Sequence, residues 1–212
     1  DVLAELGVNL EATPEKVGQC IDEVGIGFLF APALHGAMKH AIGPRREIGT
    51  RTVFNVLGPL TNPAGAKRQL IGVYAPELTD QLAGVLGELG SEHAFVVHGS
   101  DGLDEITLTG PTRLSELKDG EVITRDISPT DFGMETVAAE ALKGGDVVEN
   151  AHILRAVLAG KEGPPLNVVL LNAAAAIVAG GLADTLEKGL EQARAAVYSG
   201  AARAALDKLV AV

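Results

Sequence analysis

The spacing of apolar and polar residues divides the chain into a helical beginning, a middle in which strands and helices alternate, and a helical end. Thr13 followed by Pro14 predicts a helix start, because a threonine hydroxyl caps free N–H groups and proline suits the first helical position. This helix should run to about Asp22. Six further helices are predicted at residues 32–42, 44–48, 150–158, 166–179, 183–198 and 201–210.

The middle of the chain has the pattern of an α/β fold. Residues 69–74 predict a strand, residues 79–89 an amphipathic helix and residues 94–97 a second strand, which is the order of a parallel βαβ unit. Further predicted strands are residues 106–109 and 121–127, and residues 26–30 predict a short strand or buried turn. We therefore expect a mainly parallel mixed sheet flanked by helices. A mostly helical segment (1–62) should precede the α/β domain (63–212).

Composition narrows the classes of function. The 212 residues are 47% hydrophobic, enough for a sizeable core, and carry a formal net charge of -11. That charge argues against nucleic-acid binding, since phosphate backbones need clustered Lys and Arg. The apolar run of residues 166–179 is short for a membrane span. The single Cys20 excludes an internal disulfide and fits a reducing compartment such as the cytoplasm.

Residues 29–63 concentrate cations among small apolar residues, Gly and Pro. Guanidinium groups bind carboxylates or phosphates through two parallel hydrogen bonds, so a local anion site is one interpretation. Gly58-Pro59 would offer such a planar ligand a flat wall. A half-buried histidine and structural ion pairs are the alternative, and the spacing does not say which arginine faces a ligand. The side chains concerned are His35, Arg45, Arg46 and Arg51.

A second motif, at residues 98–105, is acidic and follows a predicted strand. Ligands in α/β proteins bind at the carboxyl ends of strands. Asp104 and Glu105 are adjacent, and Asp101 lies three residues earlier. Carboxylates of this kind hold Mg²⁺ together with waters and substrate phosphates. The alternative is an ordinary solvated turn.

Several catalytic signatures are absent from the sequence. It contains no nucleophile elbow, no Walker phosphate loop, no Gly-rich dinucleotide fingerprint and no zinc-binding helix with paired histidines. We therefore expect no covalent nucleophile among its residues.

The motifs taken together resemble anthranilate phosphoribosyltransferase. The resemblance covers essentially the whole chain in order, and its one small departure is Gly36, where the family usually has proline. The segments that carry it are residues 30–39, 44–47, 51–63, 98–105, 128–133 and 171–176. The resemblance implies a fold similar to that of nucleoside phosphorylases and phosphoribosyltransferases, with the active site between a helical and an α/β domain.

The resemblance also implies a reaction. The amine of anthranilate would attack C1 of phosphoribosyl pyrophosphate, releasing pyrophosphate, in tryptophan biosynthesis. Arg45 would hold the anthranilate carboxylate, and Asp104 and Glu105 would hold Mg²⁺ on the pyrophosphate. The residues implied to line the path of anthranilate are His35, Met38, Gly58 and Pro59.

Family members also carry an N-terminal helical region and a Gly-rich phosphate loop, which this sequence lacks. The resemblance is therefore to the C-terminal portion of the enzyme, and we expect the chain alone to have little or no activity. The family implies a homodimer formed through the helical domain. Other readings are a pyrimidine-nucleoside phosphorylase-like enzyme, which would not need the Asp104-Glu105 pair, a non-catalytic relative that binds nucleic acid, and a stable fragment without activity.

Overall fold

A four-stranded mixed sheet with helices on both faces organises the chain. The computed structural model describes residues 1–30, 47 and 54–212. The helices, numbered along these residues, are α1 (Val2–Glu5), α2 (Pro14–Val24), α3 (Phe54–Leu60), α4 (Leu78–Glu88), α5 (Val147–Leu158), α6 (Pro164–Ala179), α7 (Leu186–Tyr198) and α8 (Ala201–Val210). The strands are β1 (Arg68–Gly72), β2 (His93–Gly99), β3 (Thr112–Lys118) and β4 (Glu121–Ile127), and short 3₁₀ helices span Pro129–Phe132 and Ala139–Leu142.

The predicted βαβ unit is confirmed: β1 and β2 pair in parallel and are joined through α4. The α/β class is confirmed as well. Parallel pairing does not dominate the described strands, however, because β2–β3 and β3–β4 are both antiparallel. A tight hairpin joins β3 to β4 and accounts for their antiparallel pairing. Its two residues, Asp119 and Gly120, have φ angles of 53° and 80°, and Asp-Gly is a favoured pair for such a turn.

The strand predicted at residues 106–109 is wrong, and the strand lies at Thr112–Lys118 instead. Side chains, not a neighbouring strand, bind the backbone N–H groups at the start of this stretch. The N–H of Ile106 donates to the side chain of Asn172, and the N–H of Thr107 donates to the hydroxyl of Thr112. The apolar Ile106 and Leu108 are buried in the core without strand pairing.

The core lies on both faces of the sheet. Strand β2 is buried along its whole length, and its side chains alternate between the faces. Phe95 and Val97 pack with the helices α6 and α7 on one face. Ala94 and Val96 pack against α4 on the other. Two-sided burial explains why β2 reads as a continuous apolar run rather than an alternating one.

Helix caps decide where the helices begin. The hydroxyl of Thr13 accepts a hydrogen bond from the N–H of Lys16, as its position before Pro14 predicted. The helix predicted from residue 183 begins at Leu186, because the hydroxyl of Thr185 caps it. Helix α8 has the predicted bounds.

Residues 26–30 form neither a strand nor a buried turn, so that prediction is wrong. Ile26 is 45% exposed, and the rings of Phe28 and Phe30 stack on each other with centroids 6.3 Å apart. Gly25, with φ 86°, ends α2 immediately before this stretch. Across the described ranges, no helix is both long enough and apolar enough to cross a membrane.

Candidate active site

The acidic turn, residues 98–105, lies at the carboxyl ends of the two parallel strands. It continues directly from β2, and it contacts the end of β1 at Gly72. A Cβ atom at Gly72 would overlap the backbone carbonyl of Asp104, so only glycine permits this approach. The location is the one where ligands bind in α/β proteins.

The backbone of the turn is held by its own hydrogen bonds. The N–H of Gly99 donates to the carbonyl of Leu103 at 2.8 Å, and the N–H of Gly102 donates to the carbonyl of Gly99 at 2.9 Å. Gly102 has a φ of 89°, a value that favours glycine. The N–H of Ser100 donates to the carbonyl of Pro111 at 2.9 Å, which ties the turn to the start of β3.

Asp101 fastens the turn to the residues that follow it. One carboxylate oxygen accepts hydrogen bonds from the hydroxyls of Thr107 at 2.6 Å and Thr109 at 2.7 Å. The other accepts from the N–H of Leu103 at 3.1 Å. Partial burial raises the pKa of Asp101, but the hydrogen bonds outweigh it, so the pKa lies below its ordinary value. Asp101 is therefore ionised and its oxygens are engaged.

Asp104 and Glu105 are different, since both are exposed and no described residue donates a hydrogen bond to either carboxylate. Partial burial of its carboxyl group, and then repulsion from Asp104, raises the pKa of Glu105 above its ordinary value. A bound cation would relieve this repulsion. No cluster of three or more His, Cys, Asp or Glu within the described ranges could hold a metal. Mg²⁺ commonly takes one or two carboxylates and completes its shell with water and substrate phosphate, so two adjacent carboxylates are compatible with it.

The side chain of Asn172, on α6, holds the backbone just after the acidic pair. Its oxygen accepts the N–H of Ile106 at 2.9 Å, and its nitrogen donates to the carbonyl of Ile106 at 2.9 Å. The same nitrogen donates to the carbonyl of Val168 at 2.9 Å. In the sequence analysis, Asn172 stood out only as part of the Ala-rich motif at residues 171–176. Its polarity in the middle of an apolar helix was the signal that could have revealed this role.

His98 joins the two parallel strands at the same edge. Its imidazole is buried, and Nδ1 lies 2.8 Å from the carbonyl oxygen of Val73. A carbonyl oxygen only accepts, so Nδ1 carries the proton in this contact. The histidine of the acidic motif thus has a structural partner within the fold.

The motif at residues 128–133 forms a capped turn. The side chain of Ser128 accepts from the backbone of Asp131, and the N–H of Ser128 donates to the carboxylate of Asp131 at 2.7 Å. Gly133, with φ 68°, closes the turn. The N–H of Val137 then donates to the carbonyl of Leu108, so this segment packs along residues 106–109.

Gly58 and Pro59 lie in the last turn of α3, and their proposed place beside a planar ligand stays a prediction. Proline is tolerated there at the loss of one hydrogen bond, and the hydroxyl of Thr61 donates to the carbonyl of Leu57 at 2.9 Å. Leu60 lines a cavity of about 160 Å³ with residues that precede β1 and β2. Leu60, the last residue of α3, therefore lies near the amino ends of the strands.

The other predicted site residues, His35, Met38 and Arg45, lie outside the described residues, and so do Arg46 and Arg51. The helices predicted at residues 32–42 and 44–48 lie almost entirely in the same gap. The roles of His35, Met38 and Arg45, and their distance from the acidic pair, stay predictions.

Comparison with known proteins decides the family. The model of the glycosyl transferase family, a/b domain, matches residues 1–203. This chain belongs to that glycosyl transferase family. A four-stranded sheet flanked by helices is consistent with this family.

Relatives with a more specific name cover nearly the whole chain. The chain is 58% identical over 209 residues to an anthranilate phosphoribosyltransferase of Trichlorobacter lovleyi, covering 99% of this chain and 60% of the relative. It is 54% identical over 211 residues to the same enzyme of Moorella thermoacetica, covering 100% of this chain and 62% of the relative. The chain thus spans about three fifths of the length of these curated relatives.

Solved structures of enzymes with the same name as these relatives also cover nearly the whole chain. The crystal structure of anthranilate phosphoribosyltransferase from Thermus thermophilus is 44% identical, with a TM-score of 0.93 over 99% of this chain and 62% of that chain. The enzyme from Saccharomyces cerevisiae in complex with PRPP and Mg is 29% identical, with a TM-score of 0.89 over 99% of this chain and 60% of that chain. The described fold is therefore shared with these enzymes.

Proposed function

We propose that this chain is part of an anthranilate phosphoribosyltransferase and supplies the side of its active site that holds Mg²⁺ and pyrophosphate. The observation that carries the proposal is the pair Asp104 and Glu105, which has no hydrogen-bond donor among the described residues and lies at the carboxyl edge of the parallel strands. The relatives at 54–58% identity support the reaction, and they do not favour the nucleoside phosphorylase alternative. The product would enter tryptophan biosynthesis.

The acidic pair binds and orients the leaving group in this proposal. The carboxylates of Asp104 and Glu105 would bind Mg²⁺, which neutralises negative charge developing on the departing pyrophosphate. A solved relative from Saccharomyces cerevisiae, in complex with PRPP and Mg, supports this cofactor. Asp101 does not join them, because its oxygens already accept three hydrogen bonds.

The acceptor would lie on the other side of the cleft. Arg45 would hold the carboxylate of anthranilate by two parallel hydrogen bonds, which fixes the amine relative to C1 of the sugar. Orientation and exclusion of water replace covalent catalysis here. The residues proposed to line the path of anthranilate are His35, Met38, Gly58 and Pro59. A relative solved in complex with 4-fluoroanthranilate supports an aromatic acid as the ligand.

The proposal includes the wider organisation of the enzyme. Residues 1–62 would belong to the mostly helical side of the cleft and residues 63–212 to the α/β domain. The complete enzyme would be a homodimer in a reducing, cytoplasmic compartment. Because the chain spans about three fifths of its relatives, we expect it to turn over slowly or not at all by itself.

Binding and turnover test the proposal separately. Isothermal titration of pyrophosphate into the chain with excess Mg²⁺ should give saturable binding that disappears in Glu105→Gln. Binding that persists unchanged in both Glu105→Gln and Asp104→Asn would contradict the assigned metal site. Robust turnover of anthranilate by this chain alone would leave the reaction intact but refute the expectation of an incomplete enzyme.

The acceptor side has its own test in the complete enzyme. Arg45→Ala should raise the KM for anthranilate by about tenfold or more, since it removes a charge-assisted bidentate contact worth at least about 1.5 kcal/mol. The KM for phosphoribosyl pyrophosphate should change little. An unchanged KM for anthranilate would show that Arg45 does not hold its carboxylate.

A further inference from the structure

Two contacts hold the backbone on either side of Glu105. The carbonyl of Asp104, which belongs to the peptide before Glu105, lies against Gly72 so closely that no Cβ fits there. The N–H of Ile106, which belongs to the peptide after Glu105, donates to the side chain of Asn172 at 2.9 Å. The Cα of Glu105 therefore lies between two peptide groups that neighbouring elements hold in place.

The contact at Asn172 is a clamp with three hydrogen bonds. Its carboxamide meets both the N–H and the carbonyl of Ile106, a residue 66 positions away in the sequence. The third bond, to the carbonyl of Val168 four residues earlier in α6, fixes the carboxamide on its own helix. Helix α6 packs against the sheet through buried Leu170 and Leu171. The clamp therefore holds the backbone at Ile106 in a fixed position relative to the sheet.

A clamp matters here because the carboxylates of Asp104 and Glu105 repel each other. No described residue donates a hydrogen bond to either side chain. Repulsion alone would turn the two carboxylates away from each other, and binding a cation would then require both side chains to be reoriented. Groups around a metal ligand that fix its orientation typically change metal affinity by about 10–100-fold when they are removed.

We infer that Asn172 is a positioning residue for the metal site. Together with the close contact between Gly72 and the carbonyl of Asp104, it holds Asp104 and Glu105 in the arrangement that binds a divalent cation with pyrophosphate. The inference rests on the proposed function, because it assigns Asn172 a role towards that metal site. Asn172 acts through the backbone of Ile106 and touches neither the cation nor the substrate.

The chain provides a matched control at Asn150. Its side chain also bridges the N–H and carbonyl of a single residue, Gly145, at 2.9 Å and 3.0 Å. This bridge lies at the start of α5 and is not adjacent to an assigned ligand. Asn150→Ala removes the same two-bond bridge to one residue's N–H and carbonyl as Asn172→Ala, which also loses the bond to Val168. A difference between the two variants therefore reports mainly on where the bridge lies.

The experiment measures Mn²⁺ binding in the presence of pyrophosphate by electron paramagnetic resonance, with circular dichroism to establish that each variant is folded. Asn172→Ala should raise the Kd for Mn²⁺ by about tenfold or more, and Asn150→Ala should change it by less than about twofold. Asn172→Asp keeps the volume and the acceptor for Ile106 but loses both donated bonds, so it decides the question if the alanine variant does not fold. Gly72→Ala should weaken binding in the same way from the other side.

The outcomes separate this inference from the proposed function. A wild-type chain that binds Mn²⁺ and loses it in Glu105→Gln, with Asn172→Ala and Asn172→Asp both matching wild type, overturns the inference and leaves the metal site standing. An equal loss in Asn150→Ala and Asn172→Ala also overturns it, because the effect would then be general. A wild-type chain that binds no Mn²⁺ overturns the proposed metal site and the inference with it.

Discussion

The two halves of the acidic turn use the same chemical group for opposite purposes. Asp101, in the first half, accepts three hydrogen bonds, and these bring its pKa below the ordinary value in spite of partial burial. Glu105, in the second half, has no donor among the described residues, and partial burial and the charge of Asp104 raise its pKa. The carboxylate of Asp101 builds the turn, whereas the pair without a donor among the described residues is the one that we propose binds a cation. Acids three or four residues apart in one turn therefore need not share a role.

The largest expected effect separates the halves by metal binding. Glu105→Gln and Asp104→Asn should each weaken the binding of Mg²⁺-pyrophosphate by about 100-fold, the upper end for changes around a metal, because each removes a charged ligand. Asp101→Asn should weaken it less than tenfold, since its carboxylate is held by Thr107 and Thr109. Calorimetric titration measures all three, and an equal loss in the three variants would erase the distinction.

The next effect concerns the stability of the fold, for which Asp101 should matter more than Asp104. Asp101→Ala removes hydrogen bonds to a charged acceptor and should lower the free energy of unfolding by about 2 kcal/mol. For a chain of this size that corresponds to roughly 4–8 °C in Tm. Asp104→Ala, at an exposed side chain, should change the stability by less than about 0.5 kcal/mol. Thermal unfolding followed by circular dichroism makes the comparison, and a larger loss at Asp104 would contradict it.

Acid should affect the two halves at different pH values. The raised pKa of Glu105 means that it takes up a proton first as the pH falls, so binding of Mg²⁺-pyrophosphate should weaken at a pH above the ordinary range for glutamate. The depressed pKa of Asp101 means that its stabilising contribution persists until the pH falls through a lower value. Binding and Tm measured on one pH series should therefore lose their signals in that order. Simultaneous loss would show that the turn titrates as a unit.

The smallest effect concerns the metal-free chain. Ionisation of Glu105 is disfavoured in the fold, so its charge slightly reduces stability once the pH has risen through its pKa. Glu105→Gln should consequently raise the Tm a little near neutral pH and leave it unchanged in acid. A lower Tm at neutral pH would mean that the Glu105 carboxylate has a stabilising partner.

Local sequence signals predicted much of the fold. The Thr13 cap, the βαβ unit and α8 follow from capping residues and from apolar periodicity. The strand that forms β3 was predicted a few residues too early, at residues 106–109, because these residues have the apolar alternation of a strand. The hydrogen bonds that keep those residues out of the sheet come from Thr112 and from Asn172, which is distant in sequence. Propensity carries no information on such a partner.

The candidate site was predictable to a different extent. Asp104 and Glu105 could be selected because two adjacent acids follow a strand, and the structure places them at the edge where ligands bind. The separate role of Asp101 was not predictable, since it depends on two threonines folding back onto the turn. The requirement for glycine at position 72 was not predictable either. It arises only in the folded chain, where the end of β1 lies against the backbone carbonyl of Asp104.

The most direct test of the division within the turn is a crystal of the chain grown with Mn²⁺ and pyrophosphate, with the metal located by its anomalous scattering. Our account predicts a single strong peak within about 2.5 Å of carboxylate oxygens of Asp104 and Glu105, with the hydrogen bonds of Asp101 intact. A peak on the carboxylate of Asp101, with Asp104 and Glu105 turned to solvent, would contradict it.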